Sequence, residues 1–202
     1  MVDNTDVKVV LLGNSGVGKT SLCNQWIDGK FDLSLTSTIG SNFKPKKIKL
    51  MHRDVTVSLW DTAGQEQFKS LVPLYTRAAS CAIIVGDVND ESSFEDSYVW
   101  QSLVLESNAE CPPLILALNK VDLLRDNLQI KMDHFVEKYC QDYDSVCICS
   151  AKTGEGIDHV FEIAASKAVE YSDKIRHQQD ASSNSLTDSS GSNSKNKKNK
   201  CC

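Results

Sequence analysis

Six strand-like and five helix-like segments alternate along the chain. Val7–Leu12 and Leu114–Leu118 are almost wholly apolar, as is Cys81–Val85. Val55–Trp60 alternates apolar with polar residues, and Lys44–Leu50 alternates apolar residues with lysines. The pattern predicts strands near 7–12, 44–50, 54–60, 81–87, 112–118 and 145–149, with Pro112-Pro113 opening the fifth. Helical periodicity predicts helices near 19–28, 66–78, 91–108, 131–141 and 156–172. Continuous apolar strands are buried on both faces, as in a parallel sheet between two helical layers. Lys44–Leu50 has one wet face, which suits an edge. The expected fold is α/β, six strands mostly parallel, with helices on both faces and one antiparallel edge strand. Ligands in such sheets bind beyond the carboxyl ends of the strands.

The polar strings that follow the strands carry the chemistry. Residues 13–20 read Gly-Asn-Ser-Gly-Val-Gly-Lys-Thr between a strand and a helix, a complete phosphate-binding loop. Glycines there turn several N–H groups toward one polyanion, and the helix N-terminus adds partial positive charge. Ser15, Gly16, Val17, Gly18, Lys19, Thr20 and Ser21 form the expected cradle. Lys19 can reach the β- and γ-phosphates, and the Thr20 hydroxyl can ligate Mg²⁺. Asn119-Lys120-Val121-Asp122 follows the fifth strand. A carboxylate at Asp122 accepts from N1–H and N2–H₂ of guanine, whereas adenine offers neither donor. Ser150-Ala151-Lys152 follows the last strand. Trp60-Asp61-Thr62-Ala63-Gly64-Gln65-Glu66 closes the third. There Asp61 can hold the metal through water, Gly64 can offer its N–H to a γ-phosphate, and Gln65 can orient a water. Thr36-Ser37-Thr38-Ile39-Gly40 supplies hydroxyls from the opposite side.

On these strings the chain resembles a small GTPase of the Ras superfamily, in its Rab family, over about residues 6–172. The resemblance implies a P-loop NTPase G domain that binds GTP or GDP with Mg²⁺ and hydrolyses GTP. It implies that Phe31 packs edge-on against guanine and that Thr38 meets both Mg²⁺ and the γ-phosphate. It also implies that Gln65 positions water and that the Ala151 N–H meets guanine O6. The implied catalytic set is Gln65, Lys19 and Thr38; the implied metal set is Thr20, Thr38 and Asp61. Several positions depart from the Rab pattern: Ser41-Asn42-Phe43, Gln67, Thr76 and Ala78 in Tyr75-Thr76-Arg77-Ala78, and Gly86 before Asp87. They lie on or near surfaces that read partners and remove no catalytic group. Two other readings remain open here: a GTP-binding module with negligible hydrolysis, and a small-molecule P-loop kinase, which Asp122 disfavours.

Composition refines this picture. A hydrophobic fraction of 41% fits a packed domain, expected over residues 1–174. The eight cysteines follow no compact framework, and Val2–Lys8 lacks an apolar leader, so reduced thiols are expected. Residues 178–194 are nearly free of apolar groups, and a disordered tail is expected over 175–202. That tail carries five basic and two acidic side chains on a chain of net charge −5. A basic tail on an acidic body favours an anionic membrane over nucleic acid. Cys201-Cys202 resembles the doubly prenylated terminus of Rab proteins, and two lipid chains anchor stably. The resemblance further implies a monomer on the cytoplasmic face of an endomembrane, cycling through the cytosol. Its implied partners are an exchange factor, an activating protein, a GDP-dissociation inhibitor or escort protein, and effectors.

Overall fold

The computed structural model describes residues 4–50, 52–64, 70–124 and 128–188. β1 (Asn4–Leu12), β3 (Arg53–Thr62), β4 (Cys81–Asp87), β5 (Leu114–Asn119) and β6 (Ser145–Ile148) run parallel. β2 (Ser41–Leu50) is antiparallel to β3 and forms one edge. The order is β2-β3-β1-β4-β5-β6. Pro45 sits in β2, where an edge position tolerates a missing N–H.

Period-two alternation in β1 sorts the core. Val7, Val9 and Leu11 face α1 (Lys19–Asp28) and α6 (Ile157–Asp188), where Leu22, Phe161 and Ala165 are buried. Trp26 of α1 stacks on Phe161 of α6 with ring centroids 4.2 Å apart. Val10 and Leu12 face the other layer: α2 (Val72–Thr76), α3 (Ser92–Glu95), α4 (Ser97–Ser107) and α5 (Leu128–Tyr139). Phe94, Trp100 and Phe135 fill that side. The register aligns Leu11 with Asp61 and Asp87 with Asn119. Parallel strands thereby deliver Gly13, Asp61, Asp87, Asn119 and Ser150 to one edge of the sheet.

Four elements differ from expectation. The single helix expected over 91–108 is two, because Ser93 Oγ donates to Asp90 O (2.6 Å) and Ser97 Oγ to Phe94 O (2.5 Å). Such local bonds compete with the helical ladder. Pro112-Pro113 precede β5 and do not open it. The helix expected over 66–78 is described only as the short α2, with Pro73 in its first turn, where the lost N–H has no intrahelical partner anyway. The largest correction is α6. It continues to Asp188 through residues expected to be a disordered linker. Between Ser172 and Asp188 there is neither Gly nor Pro, and adding a residue to an existing helix is far easier than nucleating one. Residues 189–202, with Cys201, Cys202 and their four neighbouring lysines, lie outside the described residues.

Gly86 in β4 shows why its neighbour fixes its identity. A Cβ there would enter the ring of Phe94, which is fully buried. Gly86→Ala should therefore cost about 1–3 kcal/mol by overpacking, and adding Phe94→Leu should return part of it. Denaturant unfolding of the two variants checks this.

Candidate functional site

The loop after β1 wraps a cavity of about 390 Å³ at the carboxyl edge of the sheet. Gly13 opens it with φ of 135°, and a Cβ there would collide with the Val85 carbonyl of β4. Only glycine meets both constraints. Ser15, Gly16, Gly18, Lys19, Thr20 and Ser21 line the cavity as expected. Val17 does not; it is buried, and its carbonyl turns inward.

Lys19 is 5% exposed. Its ammonium donates to the carbonyls of Gly13 and Asn14, both at 2.8 Å. Burial pushes its pKa down to about 8, against the upward pull of Asp61. This is a desolvated cation held at a loop of N–H groups, suited to phosphate oxygens. Gly64 borders it closely: a Cβ would meet the Lys19 ammonium and lie 2.5 Å from the Asn14 carbonyl oxygen.

The expected metal ligands meet. The hydroxyls of Thr20 and Thr38 are 2.7 Å apart, which brings the loop over 36–40 down onto α1. Asp61 is buried, and its Oδ1 has no hydrogen-bond partner among the described residues. Burial raises its pKa, while the Thr20 hydroxyl and Lys19 pull it down. Two hydroxyls and an unsatisfied carboxylate oxygen form a hard oxygen set that fits Mg²⁺, which completes its shell with water and phosphate oxygens. Among the described residues no cluster of three His, Cys, Asp or Glu offers a second metal site.

The other end of the cavity is built around Asn119, which is fully buried. Its Nδ2 donates to Val17 O at 2.8 Å, and its Oδ1 accepts from the Ala151 N–H at 3.0 Å. A guanine O6 would share that Ala151 N–H with Asn119. Ser150, also fully buried, donates its hydroxyl to Asp122 Oδ1 at 2.6 Å. Lys152 Nζ lies 3.7 Å from Asp122 Oδ2. Asp122 is thus held from two sides with its carboxylate at the cavity wall. Phe31, Lys120, Ala151 and Lys152 line the same wall. Gln65 lies outside the described residues.

Two groups escaped the sequence reading. Asp87 accepts from Lys120 Nζ at 2.7 Å and so orients the lysine beside the cavity. Its position at the end of an apolar strand, like that of Asp61, was the available signal. Asn14 uses both its carbonyl and its side chain, in contacts no spacing rule announces.

The Ras family model matches residues 8–170. The chain belongs to the Ras family of small GTPases, in its Rab branch. It is 38% identical to the Ypt/Rab-type GTPase Rab7 of Gibberella zeae, over 81% of this chain and 82% of the relative. It is 38% identical to the Ypt/Rab-type GTPase ypt7 of Schizosaccharomyces pombe, over 83% and 84%. It is 36% identical to the Ras-like GTP-binding protein RYL2 of Yarrowia lipolytica, over 84% of each. As a Rab-branch small GTPase, the protein carries the phosphate loop, the paired threonine hydroxyls and Asp122 in a single cavity.

Asn119 ties two loops that do not otherwise share a strand. Asn119→Ala would leave the Val17 carbonyl and the Ala151 N–H unpaired and buried, at about 2–4 kcal/mol in total. A urea titration of the variant against the parent chain should show that loss.

Proposed function

We propose that the protein binds GTP and GDP with Mg²⁺, hydrolyses GTP to GDP and phosphate, and acts as a membrane-anchored switch in vesicle transport. One observation carries this reading. The Thr20–Thr38 hydroxyl pair stands beside buried Asp61, whose Oδ1 is unsatisfied, and the pair lines the same cavity as Asp122, whose carboxylate Ser150 holds.

Thr20, Thr38 and Asp61 would hold Mg²⁺, which supplies charge neutralisation for the β- and γ-phosphates. Lys19 moves from the loop carbonyls to the phosphate oxygens. The Gly64 N–H and Thr38 bind the γ-phosphate, and losing it releases both loops. Gln65 orients the attacking water. Phe31 covers the base, Asp122 reads its N1–H and N2–H₂, and Ala151 meets O6. No arginine lines the cavity among the described residues, so an activating protein is expected to supply transition-state charge.

The catalytic unit is residues 1–174, and 175–202 is the tail that carries the anchor. No helix among the described residues is long and apolar enough to cross a membrane. Prenyl groups on Cys201 and Cys202 attach the chain to the cytoplasmic face of an endomembrane compartment, with Lys195, Lys197, Lys198 and Lys200 favouring an anionic leaflet. The relatives named Rab7 and ypt7 support this traffic role. An exchange factor, an activating protein, effectors, and a GDP-dissociation inhibitor or escort protein are the partners such a cycle requires. The protein works as a monomer and needs no nucleic acid.

Base reading is tested at one atom pair. Asp122→Asn should shift preference from guanine toward xanthine nucleotides, whose 2-oxo group accepts from the new amide. Competition binding with GDP and XDP decides it, and a variant that keeps full guanine selectivity would rule out Asp122 as the reader. The anchor is tested separately. Each buried lipid CH₂ contributes about 0.8 kcal/mol against about 1 kcal/mol per lysine, so the lipids dominate. Cys201→Ser with Cys202→Ser should leave the protein in the soluble fraction with unchanged nucleotide affinity. Retention on membranes would show that those cysteines are not the anchor.

A further inference from the structure

Asn14, the second residue of the phosphate loop, is gripped from outside the cavity. Its Nδ2 donates to Asp96 Oδ2 at 2.7 Å. Its Oδ1 accepts from the Trp100 indole N–H at 2.9 Å. Asp96 is the residue between α3 and α4, and Trp100 lies in the first turns of α4, fully buried. The main chain of Asn14 faces the other way. Its carbonyl accepts from Lys19 Nζ at 2.8 Å, and Gly64 packs against the same carbonyl. Residue 14 is therefore where the phosphate loop, the turn after β3 and the α3–α4 corner touch.

We propose that Asn14 is a positioning residue for the bound nucleotide, with Asp96 and Trp100 gripping its side chain so that the loop backbone and Lys19 face the phosphates in fixed register. This rests on the guanine-nucleotide reading above and adds its mechanical support. The chemistry of the three side chains is specific. A carboxylate only accepts, and an indole N–H only donates. A side chain at 14 must donate to Asp96 and accept from Trp100 at once, which an amide does. A carboxylate at 14 would still accept from Trp100 but would meet Asp96 charge to charge. Lys19 and the loop N–H groups act on the same phosphates, so a loop that can rotate about residue 14 loses their joint alignment. Small misplacements of positioning groups have large effects.

The full chain is loaded with a fluorescent GDP analogue, and release is followed on adding excess GDP. Trp100→Phe keeps a buried six-membered ring but removes the N–H donor together with the rest of the five-membered ring; release should rise about fivefold or more, the scale of one lost hydrogen bond at a buried site, and the urea midpoint measured alongside reads the packing loss separately. Asn14→Asp should raise release about tenfold or more. Adding Asp96→Asn to Asn14→Asp restores a donor–acceptor pair with the roles exchanged, and release should return to within about threefold of the parent. Urea midpoints of the four proteins are measured alongside. A merely structural grip would lower those midpoints and leave release unchanged, which overturns the proposal. So does a double variant that releases as fast as Asn14→Asp alone. A parent chain that fails to bind the analogue overturns the guanine-nucleotide reading and this inference together; normal parental binding with unresponsive variants overturns the positioning role alone.

Discussion

Two loops from distant parts of the chain, and the strand between them, meet at the side chain of Asn119. One amide group bonds the carbonyl of Val17 and the N–H of Ala151. Both bonds are buried, so solvent cannot replace either at low cost. The phosphate half of the cavity is thereby tied to the base half. Val17 stands two residues before Lys19, and Ala151 follows Ser150, which holds Asp122, so the tie reaches both ends of the cavity. Asn119 can serve because β5 ends opposite Asp87 of β4 in the register of the parallel ladder, whose two strands are packed by apolar residues on both faces. The core thus determines where the polar site can form.

The site also concentrates electrostatic cost. Lys19 and Asp61 are both almost fully buried, and desolvation disfavours the charged form of each. Their mutual attraction opposes that trend without removing it. Anionic phosphates and a divalent cation are the groups that would satisfy them together. Gly64 sits where it would sense such a change, since any side chain there would occupy the space of Lys19 and Asn14. Packing and electrostatics thus converge at Gly64, two residues beyond β3.

The strands and most of the site were legible because their signals are strong and local. Apolar runs marked β1, β4 and β5, and the phosphate loop announces itself by glycine spacing. Asp122 and Thr38 could be read from strings at strand ends. What could not be read depends on three-dimensional neighbours. Asp87 pairs with Lys120 across two strands. Gly86 leaves room for Phe94, which is close in space for reasons of helix packing. The break between α3 and α4 comes from serine hydroxyls that choose local carbonyls, a competition that apolar periodicity does not register. The end of α6 is not legible in composition, since a segment nearly free of apolar residues can be helical as well as disordered. Polar residues such as Gln178 and Gln179 cannot form a core, yet they can continue a helix that is already nucleated.

That extended helix changes how an anchored domain would be held. The residues of α6 beyond Ser172 add roughly 24 Å at about 1.5 Å per residue. A flexible coil of the same residues would span a similar mean distance, about 22 Å, but in every direction. The rod has one direction, fixed by the packing of Phe161, Ala164 and Ala168 against the sheet. Under the anchor proposed above, the path to the membrane would leave the domain from the far end of this rod, at a point on the domain set by the packing of α6 against the sheet.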